Sequence, residues 1–153
     1  MCWIHDGLRA ASVSDLIYNL ETGTATTMNE NDGQRDATRI DLTASKSVDD
    51  LDIRLEPIDA STVIQGLPQA GLMELLTYAE PVEVGVWEMS AGGCRDVEAD
   101  EFLVVIAGSA VVTVNDGQPQ LLKPGDMMRF RRGDRTTWTV KERIRKIYVT
   151  PAA

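Results

Sequence analysis

From Val82 onward the chain is a run of short β-patterned stretches broken by turn residues roughly every ten positions; that rhythm constrains the fold more than any single motif. "VEVGVWEMS" alternates, with Val82, Val84, Val86 and Glu88 on one face and Glu83, Gly85, Trp87 and Met89 on the other. "EFLVVIAG" is a continuous, largely β-branched run, the pattern of a strand buried on both faces. Asn115-Asp116-Gly117 supplies a tight hairpin turn, and Pro124-Gly125 opens another before "DMMRF". "TTWTVKE" and "RIRKIYVT" read as two further strands. Gly108 and Gly117 fall where turns call for positive φ, and Asp126 is placed to accept amides of its own loop. Many short strands joined by turn chemistry imply an all-β sandwich or barrel.

The first part of the chain reads differently. "SVSDLIYNL" fits a short helix capped by Ser12 or Ser14, and residues 21–38 are polar and aperiodic, as in a linker. Met28 lies inside that linker and offers a second possible start, which N-terminal sequencing of the native protein would test. "RIDL" looks like a strand, and "AGLMELLTYAEP" suits either a helix or a strand entering a sheet.

At 153 residues the chain forms one domain, large enough to bury roughly 70% of its unfolded surface without a disulfide or metal staple. No apolar run approaches the ~20 residues of a membrane helix, and no basic start with an apolar core marks an export signal. The expectation is a cytoplasmic protein with Cys2 and Cys94 as free thiols. A net charge of −9 argues against nucleic acid or an anionic membrane as partner. The charge is uneven: residues 61–120 hold 9 acids and 1 base, residues 121–153 hold 3 acids and 9 bases. The bases either neutralise the acidic middle across a shared sheet or form an anion-binding surface, with Arg129, Arg131, Arg132 and Arg135 its candidates.

The ordered spacing goes beyond generic β. Gly93, Glu101 and Gly108 match the first motif of the cupin barrel, and "PGD" at 124–126 with Gly133 matches the second. "GVWEMSAGG" (85–93), "DEFLVVIAGSAVVTVNDG" (100–117), "LKPGDMMRFRRG" (122–133) and "TWTVKERIRKIYV" (137–149) resemble the cupins related to (S)-ureidoglycine aminohydrolase and to ethanolamine utilisation. Trp87, Glu101, Trp138, Glu142 and Lys146 stand in register with that pattern. The resemblance implies a single cupin domain over residues 40–153, a double-stranded β-helix or jelly-roll barrel, behind an irregular, flexible extension over residues 1–39. It also implies pairing through sheets, hence a homodimer.

In the general cupin pattern two histidines precede the glutamate and a third follows the second motif. Here those places fall at Cys94 and Asp96, or Arg95 and Val97, and near Thr136. The only histidine is His5, so a three-histidine, one-glutamate site cannot form. Asp96, Glu98, Asp100 and Glu101 lie within six residues, and oxygen ligands suit Mg²⁺, Ca²⁺ or Mn²⁺. Alternation lets only one of Asp100 and Glu101 face inward, by resemblance Glu101; the other acids are expected at the mouth, in solvent. The expectation is no cofactor, with Asp96, Glu98 and Glu101 as weak candidates for a divalent ion such as Mn or Mg.

Alternation also puts Thr136, Trp138, Val140 and Glu142 on one face, and Ile144, Lys146 and Tyr148 on one face. If these faces meet, the barrel holds two carboxylates, an ammonium and aromatic walls: Trp87, Glu101, Thr136, Trp138, Glu142, Lys146 and Tyr148. Lys146 is the natural partner of Glu101 or Glu142, because a buried carboxylate without one would protonate or destabilise the fold. Such a pair either fixes the barrel or serves a site. Two functions follow: binding of a small polar metabolite without metal catalysis, or an enzyme on a small nitrogen-containing metabolite of ureide or amine metabolism. Glu101, Glu142 and Lys146 are the acid–base candidates of the second, with a carboxylate-bound divalent metal as an option.

Overall fold

The computed structural model describes residue 42, residues 44–77 and residues 82–151. The expected helix at 12–20, the linker, the 1–39 extension and all but the last residue of "RIDL" lie outside these residues. A single turn of 3₁₀ helix (Val48–Asp50) is followed by β1 (Glu56–Pro57), β2 (Val63–Gln65), β3 (Gln69–Thr77), β4 (Val82–Val97), β5 (Glu101–Val114), β6 (Gln120–Leu122), β7 (Met127–Phe130) and β8 (Arg135–Pro151). All pair antiparallel in one sheet of order β1-β3-β4-β8-β5-β6, with β2 beside β4 and β7 beside β5. "AGLMELLTYAEP" is thus resolved as strand through Thr77. Among the described residues no helix is long and apolar enough to cross a membrane.

"TTWTVKE" and "RIRKIYVT" are one strand, β8, and not two. Its pairing with β5 skips residues 141–143 and its pairing with β4 slips between Ser90 and Gly92, so a bulge bends it there. The bend is what makes a cup. Eight residues of straight strand would hold Trp138 and Lys146 about 26 Å apart, yet the Lys146 ammonium lies 5.1 Å from the Trp138 ring. Gly108 sits at this corner on β5 with φ 70°, and a Cβ there would stand 1.9 Å from the Arg143 carbonyl oxygen. Only glycine fits that turn.

The sheet's two faces have separate cores. The inner one gathers Trp87, Met89, Leu103, Val105, Phe130, Trp138, Ile144 and Tyr148 among others. The outer one is small: Leu51 and Ile53, from the segment before β1, pack on Val86, flanked by Met73, Leu75, Ile106 and Ile147. This segment crosses the outer face as a strap. "EFLVVIAG" is therefore not buried on both faces: Leu103 and Val105 are sealed inside, while Phe102 on the outer face is 43% exposed. In the β5–β6 turn the positive φ values belong to Asn115 (49°) and Asp116 (59°), and Gly117 has none. That is the mirror-image hairpin turn that suits twisted strands. Asp126 accepts the Lys123 amide at 3.0 Å, as expected of its loop.

Candidate functional site

The inner face of three long strands converges on Lys146. Trp87 on β4 and Val105 on β5 flank it directly across the ladders. Its ammonium is ion-paired with Glu101 Oε1, and neither side chain reaches solvent. It also lies 4.9 Å from the Trp87 ring, 5.1 Å from Trp138 and 5.8 Å from Phe130, so three aromatic rings surround one cation. Trp87 and Trp138 are tilted against each other with centroids 5.6 Å apart, and Phe130 meets Trp138 edge-on. The second carboxylate oxygen of Glu101 is buried and accepts no hydrogen bond.

Thr136 and Trp138 join this centre through Glu98. The Thr136 hydroxyl donates to Glu98 Oε1 at 2.6 Å and the Trp138 indole N–H donates to the same oxygen at 3.1 Å. Glu98 was expected at the rim, but it is 2% exposed. The indole N–H needs an acceptor when buried, and Glu98, just outside β4, supplies it. Asp96 is half-buried; burial raises its carboxyl pKa above the ordinary value, a rise moderated by the Val97 amide and by Lys146, while nearby Glu101 adds to it. Tyr148 lies on the same inner face, flat against Gly85, whose added Cβ would fall 2.5 Å from the tyrosine oxygen. Its hydroxyl donates to Glu83 at 2.6 Å. Burial first, then Glu83, push its pKa far up, so the phenol stays neutral.

Glu142 does not belong to this centre. It sits in the bulge at 141–143, exposed with its two neighbours. Inward parity presupposed an unbroken strand, and the bend carries the residue outward. Cys94 is also corrected: it is buried and disulfide-bonded, not a free thiol. That expectation rested on an assumed compartment, and two cysteines are equally compatible with one bridge. Phe130 was overlooked, although the alternation of "MMRF" beside Glu101 offered a signal.

The general cupin pattern implies a metal at this centre, and the described residues there do not fit one. Among the described residues no three His, Cys, Asp or Glu side chains come together as a metal would need. Glu101 already shares its place with an ammonium, and a second cation there would meet like charge. Glu98 is engaged as an acceptor for a hydroxyl and an indole.

Long antiparallel strands folded over an inward-facing glutamate define the class, a cupin fold. Residues 76–148, just under half of the chain, match the EutQ-like cupin domain. A putative ethanolamine utilization protein Q from Salmonella typhimurium is 21% identical, with TM-score 0.50 over 67% of this chain and 98% of that one. A protein of unknown function from Pseudomonas syringae pv. tomato is 24% identical, with TM-score 0.57 over 65% of this chain and 44% of that one. The cupin domain of Schizosaccharomyces pombe Cnp3 is 16% identical, with TM-score 0.52 over 71% and 74%. At such identities the likeness carries the fold alone. No curated protein matches the sequence.

Proposed function

We propose that the protein is a binding cupin that takes a small, neutral, polar molecule at the barrel centre, with the Glu101–Lys146 pair at the place that the general cupin pattern gives to a metal. One observation carries the reading: Glu101 Oε2 is buried with no donor, although its twin oxygen is ion-paired. A buried acceptor left unmade costs about 1–3 kcal/mol, so a ligand that donates an N–H or O–H to it gains that much. The neighbouring ammonium disfavours a cationic ligand, and the Trp87, Trp138 and Phe130 rings favour one with an apolar body. Amides, ureas and alcohols meet these conditions; small carboxylates do not, because their oxygens would face the Glu101 carboxylate. If the bound molecule were also turned over, Glu101 and Lys146 would be the groups able to move its protons.

A thermal-shift screen with small amides, ureas, alcohols and matched carboxylates tests this. A ligand at a hundred times its Kd adds about 2.7 kcal/mol, roughly 5–10 °C for a domain of this size. The expected result is such a rise with a donor-bearing neutral compound and its loss in Glu101→Leu. No stabilisation by any compound, together with a Glu101→Leu/Lys146→Met protein at least as stable as the parent, would reduce the pair to a structural element.

A further inference from the structure

We infer that the disulfide of Cys94 holds the chain's own amino-terminal segment inside the barrel as a plug, and that reducing this bond opens the barrel centre to small molecules. Cys94 is disulfide-bonded, and the chain's one other cysteine is Cys2, so the bond joins Cys2 to Cys94. The Cys94 side chain points away from any partner outside the cup. It is buried in the inner core, its sulfur 4.0 Å from that of Met89, and it lies opposite Trp138 across the β4–β8 ladder. A disulfide holds its two Cα atoms about 4.4–6.8 Å apart. Residue 2 lies outside the described residues, but this bond confines it to the cup, beside a ring that stands 5.1 Å from the Lys146 ammonium.

Asp96 is an independent mark of the same occupant. It shares the inner face with Cys94 by strand parity and opposes Thr136. Burial raises its carboxyl pKa, and the strongest opposing influence is the positive charge of the chain's amino terminus. A charge acts on a neighbour's pKa in this way at short range, so this charge and the disulfide point to one end of the cup. A segment seated there fills space that a ligand of Glu101 would occupy or cross; in that respect alone the inference rests on the binding reading of the barrel centre. Opening takes a dithiol reductant. Its thiolate attacks one sulfur of the bridge, the S–S bond breaks, and its second thiol closes the reductant's own disulfide. Two electrons and two protons pass to the protein, and both cysteines end as thiols.

Acrylamide quenching of tryptophan fluorescence on the full chain tests it, because the quencher is itself a small neutral amide. In a Trp3→Phe background the emission comes from Trp87 and Trp138 alone, both buried at the barrel centre. Peptide mapping of the oxidised protein without reductant should give one peptide pair joining Cys2 to Cys94. The quenching constant should be low in that form. It should rise severalfold on reduction with dithiothreitol, and equally in Cys2→Ser without reductant, with an unchanged circular dichroism spectrum. Two free thiols in the oxidised protein, or equal quenching in the two redox states, overturns the inference. A Cys2→Ser chain that loses its sheet signature also overturns it, because the bridge then holds the fold and gates nothing. Quenching reads access whether or not a ligand binds, so a failed ligand screen leaves this inference standing, and equal quenching leaves the binding reading standing.

Discussion

Arg145 and Lys146 are neighbours on one strand, and each holds a buried glutamate on its own side of the sheet, yet the two pairs are built differently. Outside, Arg145 Nε donates to Glu88 Oε2 at 2.6 Å and Nη2 approaches the same oxygen at 2.5 Å. Two further hydrogens go to the carbonyls of Val48 at 2.5 Å and Leu51 at 3.1 Å. Glu88 and Arg145 face each other across β4 and β8, and Arg143 stands 4.0 Å from the other Glu88 oxygen. The guanidinium fork thus ties the strap to the sheet with a donor in use on each of its three nitrogens. Inside, Lys146 is a point charge among rings, and half of its partner carboxylate has no donor. The difference separates a saturated pair that serves the fold from an unsaturated one that leaves chemistry available.

The largest effect should come from breaking the outer pair. Arg145→Met leaves Glu88 buried without its close cation and removes the donors from two strap carbonyls. Breaking a buried pair costs about 3–5 kcal/mol, a large part of the 5–15 kcal/mol typical of a whole domain. Urea denaturation should show that loss, and limited proteolysis should open the chain first between residues 46 and 56. If the strap stays protected, the saturated pair is not what holds it.

Lys146→Met should cost somewhat less, about 2–4 kcal/mol, since Glu101 can protonate once its partner is gone. The decisive measurement is the double change. Glu101→Leu with Lys146→Met should return to within about 1 kcal/mol of the parent, because both members of the pair are then apolar and no polar side chain of the pair is left unpaired. Glu88→Gln with Arg145→Met should not recover, because the Val48 and Leu51 carbonyls still lack donors. Equal recovery in both cycles would erase the distinction between the faces.

How much of this contrast can be read from sequence follows the same division. The inner centre is legible because resemblance fixes Glu101 and strand parity then carries Trp87, Trp138 and Lys146 inward with it. Parity fails at Glu142, where a bulge that the sequence does not mark bends the strand, and at Glu98, which lies between strands where alternation has no hold. The outer pair is invisible along the chain: Glu88 and Arg145 meet only because β4 lies beside β8, a pairing of segments 57 residues apart. The strap left a trace in the spacing of Leu51, Ile53 and Leu55, which face one way when extended. The exposure of Phe102 contradicts its own local pattern, since a β-branched run says nothing of whether a cover exists.

The smallest effect concerns pH and should appear on the inner side alone. Burial raises the Asp96 pKa, so the folded state keeps a proton that the unfolded chain has released. Stability therefore falls as pH rises from the ordinary carboxylate value through the folded value, and is regained on acidification through that window. Asp59, exposed, and Asp126 and Asp134, half-buried, act with opposite sign and at lower pH. Hydrogen bonds, from the Ser61 amide to Asp59, from Lys123 to Asp126 and from the Arg131 amide to Asp134, hold their pKa values down. Their contribution survives mild acid and is lost only as pH drops through those lowered values. Unfolding midpoints measured from neutral pH into mild acid should thus rise slightly before they fall. Asp96→Asn should flatten the rise and leave the later fall in place, whereas Arg145→Met should lower the whole curve and keep the rise. A rise that persists in Asp96→Asn would place its source elsewhere, and one that vanishes in Arg145→Met would show that the two faces of the sheet are energetically coupled.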